Sequence, residues 1–176
     1  MDAAAGAIAT SRDKLRTMLS KCTYWQQFGG ASYTEAQALA RIYLDGMPFL
    51  DDLLSDPTNR PLAVIGRGAR GVHWQAVAGP RTFAVDGALT IEFHRTPTTL
   101  VEADPGAFER AYENDIARII SAPDGSTGLL QLSGLDTNLD ILDVTEEGPI
   151  RASGDLVSLV GDASLYYVDI EWGTRR

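Results

Sequence analysis

One cysteine, Cys22, is all the thiol this chain has, and its histidines number two, His73 and His94. A single thiol excludes an internal disulfide and a thiolate zinc site, and it suits a reducing cytosol or a compartment-neutral assembly part. Cys22 reads as a small core residue. A histidine metal site needs both histidines together with carboxylates from elsewhere, and no i, i+4 spacing supports one. Basic charge is short as well: 15 Lys and Arg stand against 24 Asp and Glu, for a net charge of -9. That is the wrong sign for gripping phosphate backbones, so non-specific nucleic-acid binding is disfavoured. No stretch approaches the roughly 18 to 20 continuous apolar residues that cross a bilayer. The opening MDAAAGAIATSRDKLR carries Asp2 where a signal peptide has a basic region, so the chain reads as soluble, without leader or anchor. Catalytic spellings are missing too. There is no G-x-S-x-G elbow, no G-x-x-x-x-G-K-[ST] phosphate loop and no identifiable base beside Cys22. No enzyme, cofactor or metal is expected.

What is present is apolar content, 44% of 176 residues, enough to bury the core of one domain spanning 1–176. From Ala4 to Cys22, Ile8, Leu15, Leu19 and Cys22 fall at helical spacing, with Ser11, Arg12, Asp13, Lys14, Arg16 and Lys21 largely on the other side. Phe28-Gly29-Gly30 ends this segment, and Ser32 with Glu35 spells a capping box opening a second helix to about Arg41, with an apolar stripe of Ala36, Leu39, Ala40 and Tyr43. Residues 45–60 are turn-rich, a loop-rich arm with one helical turn at FLDDLL. Strands are expected at Leu62–Ile65, Val72–Ala78 and Ala88–Arg95, with Asp86-Gly87 as the turn before the last. Asp104-Pro105 opens the clearest amphipathic helix, with Phe108, Tyr112, Ile116, Ile119 and Ile120 on one face and an end near Ala122-Pro123. Leu139, Ile141 and Val144 suggest a strand, and Ser164–Trp172 closes the chain with Tyr166, Val168, Ile170 and Trp172 on one face. Strands segregated from helices indicate an α+β fold: a mixed or mainly antiparallel sheet of about four to five strands, carrying the N-terminal helix and one amphipathic helix.

Two spellings imitate ligand sites. Gly66-Arg67-Gly68-Ala69-Arg70-Gly71 fits G-x-G-x-x-G, but the dinucleotide fingerprint needs a helix directly after it to hold the pyrophosphate. Val72-His73-Trp74-Gln75-Ala76-Val77 reads as a strand instead, so the glycines are taken as permissive φ positions in a loop between strands. Arg67 and Arg70 in that loop, with Arg81 on the next connection, are either a solvated basic tip or contacts to an acidic partner surface. Asp136, Asn138, Asp140 and Glu147 occupy calcium-loop positions 1, 3, 5 and 12, yet Ile141 stands where the loop requires glycine, and an edge strand with outward carboxylates is the better account.

In its order of elements the chain resembles the tail-terminator, or tail-completion, proteins of long-tailed bacteriophages. The segments that carry the resemblance are the N-terminal helix ending at Leu19, the strand PLAVIG, the strand GALTIEFHRT, the helix FERAYENDIARII and the ending ASLYYVDIEWG. Head-to-tail joining proteins of the same neck region look similar in outline. The resemblance implies a non-enzymatic homo-oligomeric ring, commonly a hexamer, assembled in the host cytoplasm and located in the virion at the tail end or neck. Such a ring caps the major tail-tube protein, halts tail growth and docks with a head-tail connector protein, surrounding the genome without reading its sequence. Two other classes stand beside it: a small-ligand or nucleotide-binding α+β domain using the 66–71 glycine loop, and a monomeric protein-binding adaptor.

Overall fold

The computed structural model describes residues 3–68, 73–76, 83–95, 114–133, 140–150 and 164–175. The first helix, α1, spans Ala3–Lys21, with Lys21 placed favourably against the dipole in its last turn. Leu15, Met18, Leu19 and Cys22 are buried along one face, and Ser11 is buried with them. Ser11 was expected on the polar side. Spacings of four, three and four residues through 11, 15, 18 and 22 keep it in the inward row. Arg12 and Arg16, also expected in solvent, are half-buried and donate to backbone carbonyls, Arg12 to Asp45 and Ile65 and Arg16 to Leu39.

Cys22 adopts an extended conformation and breaks the helix, so a short α2, Thr23–Gln27, leaves in a new direction. The 3-10 turn Phe28–Gly30 follows, with Gly29 at φ 67 and Gly30 at φ 81, a conformation that suits glycine and ends the helical run where expected. The next helix, α3, spans Glu35–Leu39, and its capping box is Thr34 with Gln37 rather than Ser32 with Glu35. Tyr33 N–H is bonded to Gln26 C=O at 3.0 Å, which ties residue 33 to α2 and holds the helix start back to Thr34. Of α3 only Ala38 is buried, and the helix stops before Arg41 because Arg41 C=O accepts from Ala63 N–H at 2.9 Å. Ala36 and Ala40 are exposed, so the expected stripe does not form, and Tyr43 belongs to a strand. In the arm, α4 spans Leu50–Ser55, matching the single helical turn foreseen there. Helix α5 covers 114–121, and its Ile116, Ile119 and Ile120 are buried as the periodicity implied; Phe108 and Tyr112 lie outside the described residues. A last short helix, α6, is Leu129–Leu132.

The strands are β1 Ile42–Leu44, β2 Leu62–Arg67, β3 His73–Ala76, β4 Phe83–Arg95, β5 Asp140–Ile150 and β6 Ser164–Arg175. Among the described residues they run in the order β1-β2-β4-β6-β5, with β3 also on β4. β1 pairs parallel with β2 and the other pairs are antiparallel, so the sheet is mixed and the chain is α+β. Leu89, Ile91 and Phe93 of β4 alternate into the main core beside Ala63 and Ile65 of β2 and Ile42 of β1, under α1 and α5. The register continues Gly87, Leu89, Ile91 and Phe93 of β4 onto Trp172, Ile170, Val168 and Tyr166 of β6, the set of alternate residues singled out in the sequence.

One expectation is overturned here. Asp86-Gly87 is no turn: both residues lie inside β4, where Asp86 pairs with His73 of β3 and with Gly173 of β6. A turn at that point would break two ladders at once, and the hydrogen bonds of both outweigh the local preference of an Asp-Gly pair. The β3–β4 connection is therefore 77–82.

Cys22 sits in this core with no exposed surface and its Sγ donates to Met18 C=O at 3.4 Å. Burial pushes its thiol pKa far up, so no thiolate nucleophile is available in the native state. Titration with a thiol-reactive dye is expected to give essentially no reaction in native buffer and one equivalent in denaturant. Fast native labelling would show that Cys22 is reached without unfolding.

Candidate functional site

The glycine segment begins as strand, and its residues 69–71 lie outside the described residues. β2 continues through Gly66 and Arg67, and Gly68 N–H donates to Ala88 C=O at 3.1 Å. Neither Gly66 nor Gly68 has a positive φ, contrary to the reading of the glycines as permissive φ positions in a loop. Gly68 answers a different need. A Cβ there would lie 2.7 Å from the Ala88 Cβ and 2.8 Å from its carbonyl carbon, so glycine permits a close backbone approach. The described residues after this segment, His73–Ala76, form strand β3 and not the helix a dinucleotide site uses. Arg67 is exposed at the end of β2, while Arg70 and Arg81 lie outside the described residues.

The histidines are not brought together. His73 pairs with Asp86, and His94 stands eight residues further along β4, on the order of 26 Å at the rise of a strand. His94 is buried on the face opposite the main core, its Nε2 2.7 Å from Glu92 Oε1 but not aligned as a hydrogen bond. Asp140 and Glu147 of the calcium look-alike belong to β5, which ends the sheet order as an edge strand; Asp136 and Asn138 lie outside the described residues. Among the described residues no three His, Cys, Asp or Glu side chains cluster as metal ligands. No described helix is long and apolar enough to cross a membrane.

The most structured surface feature is the arm that begins at Asp45. Three arginines bond its backbone carbonyls: Arg12 of α1, Arg41 just before β1, and Arg60 at the arm's own end. Arg12 of α1 donates to Asp45 C=O and, at 3.2 Å, to Ile65 C=O. Arg41 donates to Asn59 C=O, and Arg60 donates to Leu54 C=O at 3.3 Å. Asn59 Nδ2 reaches back to Leu53 C=O at 3.2 Å. Within the arm Asp56 accepts from both the amide and the hydroxyl of Thr58, at 2.9 and 2.7 Å, and these bonds, the hydroxyl's first, lower its pKa. The 45–60 excursion is thereby held in one shape by side-chain bonds to its own carbonyls.

Just past the pinned Asp45, Gly46 turns the chain at φ 84 and Phe49 takes a left-handed conformation, φ 64 and ψ 15, before α4 starts. Phe49 is 77% exposed and Met47 39%. With Asp45, Leu50, Asp51 and Asp52 they line an open groove of about 420 Å³. Asp51 and Asp52 stand in the first turn of α4, where the helix dipole favours them whatever else they do. The lining contains no nucleophile and no general base other than carboxylates, so its chemistry is that of contact: an apolar projection rimmed by negative charge.

A second cluster joins α2 to the loop after α5. The Tyr24 hydroxyl donates to Asp124, Arg118 lies 5.1 Å from the centre of the Tyr24 ring, and Thr23 and Thr127 exchange bonds of 2.8 and 3.1 Å. Hydrogen bonds from Ser126 and then Tyr24 hold the Asp124 pKa at about 2, and the same bond to Asp124 raises that of Tyr24. Every group in it is engaged by another, which reads as a clasp between helices.

No protein-family model matches this chain, and no curated protein matches it either. The functional reading therefore rests on the residues themselves. The sequence indicated an arm at 45–60 but not the exposure of Phe49 on it; the signal on hand was Gly46-Met47-Pro48-Phe49, large apolar side chains in a turn-forming stretch where nothing in the local pattern asks for burial.

Proposed function

We propose that this chain is a structural protein of the virion of a long-tailed bacteriophage, a ring subunit that caps the tail tube, terminates its growth and joins tail to head. In this reading the single domain carries a mainly antiparallel sheet with the N-terminal and amphipathic helices laid on it. The observation that carries the reading is the order of elements: a long N-terminal helix, a run of strands ending in the long β4, an amphipathic helix, and the closing pair β5–β6 zipped onto β4. The pinned arm adds support, since a preformed projection with exposed apolar side chains suits contact with a neighbour. A ring of this kind makes heterologous contacts, one face against a different face of the next subunit, and closure sets its copy number, commonly six. Its partners are other copies of itself, the tube protein below and the connector above, with Arg67 at the end of β2 and Arg70 and Arg81 nearby in sequence as contact residues. No catalytic step or cofactor enters.

Sedimentation velocity over a range of concentrations, with and without purified tail tubes, tests it. A closed ring, alone or on the tube end, is the expected result. A chain that stays monomeric at high concentration and leaves tube ends uncapped refutes the ring, and a monomer that binds one protein through its arm would be an adaptor instead.

A further inference from the structure

We infer that the 45–60 arm is a docking surface for a basic polypeptide segment of a partner protein, in which Phe49 packs against apolar side chains while Asp51 and Asp52 pair with an arginine or lysine. The inference stands on the arm alone and does not depend on the ring. Among the described residues only Met47, Phe49 and Leu130 are large hydrophobic side chains left exposed, and two of these three lie within three residues of each other here. Phe49 contributes nothing to the core cluster and occupies a backbone region that a bulky residue rarely adopts. A fold without need of that ring would be served better by glycine at the same φ. The ring is exposed on an open groove and encloses no hollow, which fits contact with a partner's surface more than capture of a small molecule.

The charge selects the partner. Asp45, Asp51 and Asp52 line the same groove, and among the described residues no lysine or arginine lines it and no ion pair engages the three carboxylates. Arg67, on the adjoining end of β2, forms no ion pair with them either. Bringing a lysine or arginine to this rim gains attraction from uncompensated charge, whereas a second copy of the chain arrives with its own net charge of -9. Pinning by Arg12, Arg41 and Arg60 holds the arm in shape before binding, so little order remains to be imposed by the partner.

The test uses the full chain and a fluorescein-labelled peptide alternating arginine and leucine, with a control peptide carrying glutamate for each arginine. Fluorescence anisotropy is expected to show binding of the arginine peptide that weakens with salt, and none of the glutamate peptide. Phe49→Gly, and separately the double variant Asp51→Asn with Asp52→Asn, are each expected to weaken binding at least about tenfold. Leu130→Ala, which removes the exposed leucine elsewhere, should change it less than about twofold. Phe49→Gly should melt no lower than the parent and the double aspartate variant only a few degrees lower, through the lost dipole interaction, which separates lost contact from lost fold. Equal binding by the arm variants, or no binding of the arginine peptide by the parent chain, overturns the proposal. Self-association that Phe49→Gly abolishes while peptide binding persists assigns the surface to a second copy and overturns it too. A chain that binds the peptide through Phe49 yet never forms rings upholds this inference while removing the ring.

Discussion

Replacing Trp25 by alanine is expected to cost about 3–5 kcal/mol, the largest loss from any single side chain of this core. Trp25 sits on the five-residue α2 and is 1% exposed. Its ring stacks on Phe28 at 5.6 Å and meets Phe93 of β4 at 5.7 Å, while Phe28 and Phe93 lie 5.8 Å apart, so three aromatics close a triangle between helix layer and sheet. The indole N–H also donates to Ala38 C=O at 3.3 Å, joining α2 to α3. Truncation opens a cavity where all these meet and removes the indole bond to Ala38 C=O, which keeps its bond from Arg41 N–H. A domain's whole stability is about 5–15 kcal/mol, so the variant is expected to be marginal, with its melting temperature lowered on the order of 10 °C. Trp25→Phe keeps the ring contacts and loses the hydrogen bond, so its loss should fall well below that of alanine. Urea unfolding followed by circular dichroism measures both; a loss under about 1 kcal/mol for alanine would mean the triangle is not the keystone described.

The second large effect concerns Gly68. Gly68→Ala is expected to destabilise by about 1–3 kcal/mol, whereas Gly66→Ala should be close to neutral. The difference lies in what each new Cβ meets. At Gly66 the nearest atom is the Asp45 Cβ at 3.8 Å, an ordinary contact. At Gly68 the obstacles include backbone, the Ala88 carbonyl carbon at 2.8 Å and the Leu89 nitrogen at 3.0 Å. β4 cannot retreat, because Ala88 and Leu89 are also paired with Glu171 and Ile170 of β6. The same urea titration decides it, with hydrogen exchange of the Gly68 amide, bonded to Ala88, as a local reading. Should Gly66→Ala prove the damaging change and Gly68→Ala the harmless one, the glycines serve something other than close strand packing.

The glycine segment also shows how far a sequence pattern reaches. Its rejection as a nucleotide loop followed from the β-branched and aromatic residues after it, a local signal that β3 bears out. The reason for its glycines was not local. The contact of Gly68 with Ala88 spans twenty residues and depends on a strand pairing that no window around residue 68 contains. The Asp86-Gly87 pair failed for the same reason: its turn preference is real in isolation, but β3 and β6 flank it on either side. β1 escaped notice because three residues, Ile42-Tyr43-Leu44, make too short a run to show alternation, and they form a strand only through parallel pairing with β2.

By itself the sequence determined the mixed helix-and-strand class, the courses of α1 and β2, the later part of β4 from Ala88, most of β6, the inward isoleucines of α5 and a turn-rich arm near 45–60. Those features depend on periodicity and turn chemistry within ten or so residues, where side-chain spacing translates directly into a buried face. Only the tertiary structure decided that Arg12, Arg41 and Arg60 pin the arm, that Phe49 is left exposed beside Asp51 and Asp52, and that Thr34, not Ser32, caps α3. The bonds of Arg12 to Asp45 and of Arg41 to Asn59 reach 33 and 18 residues along the chain, beyond any local window, and long-range pairing overrides a local preference whenever it satisfies more backbone hydrogen bonds or buries more apolar surface.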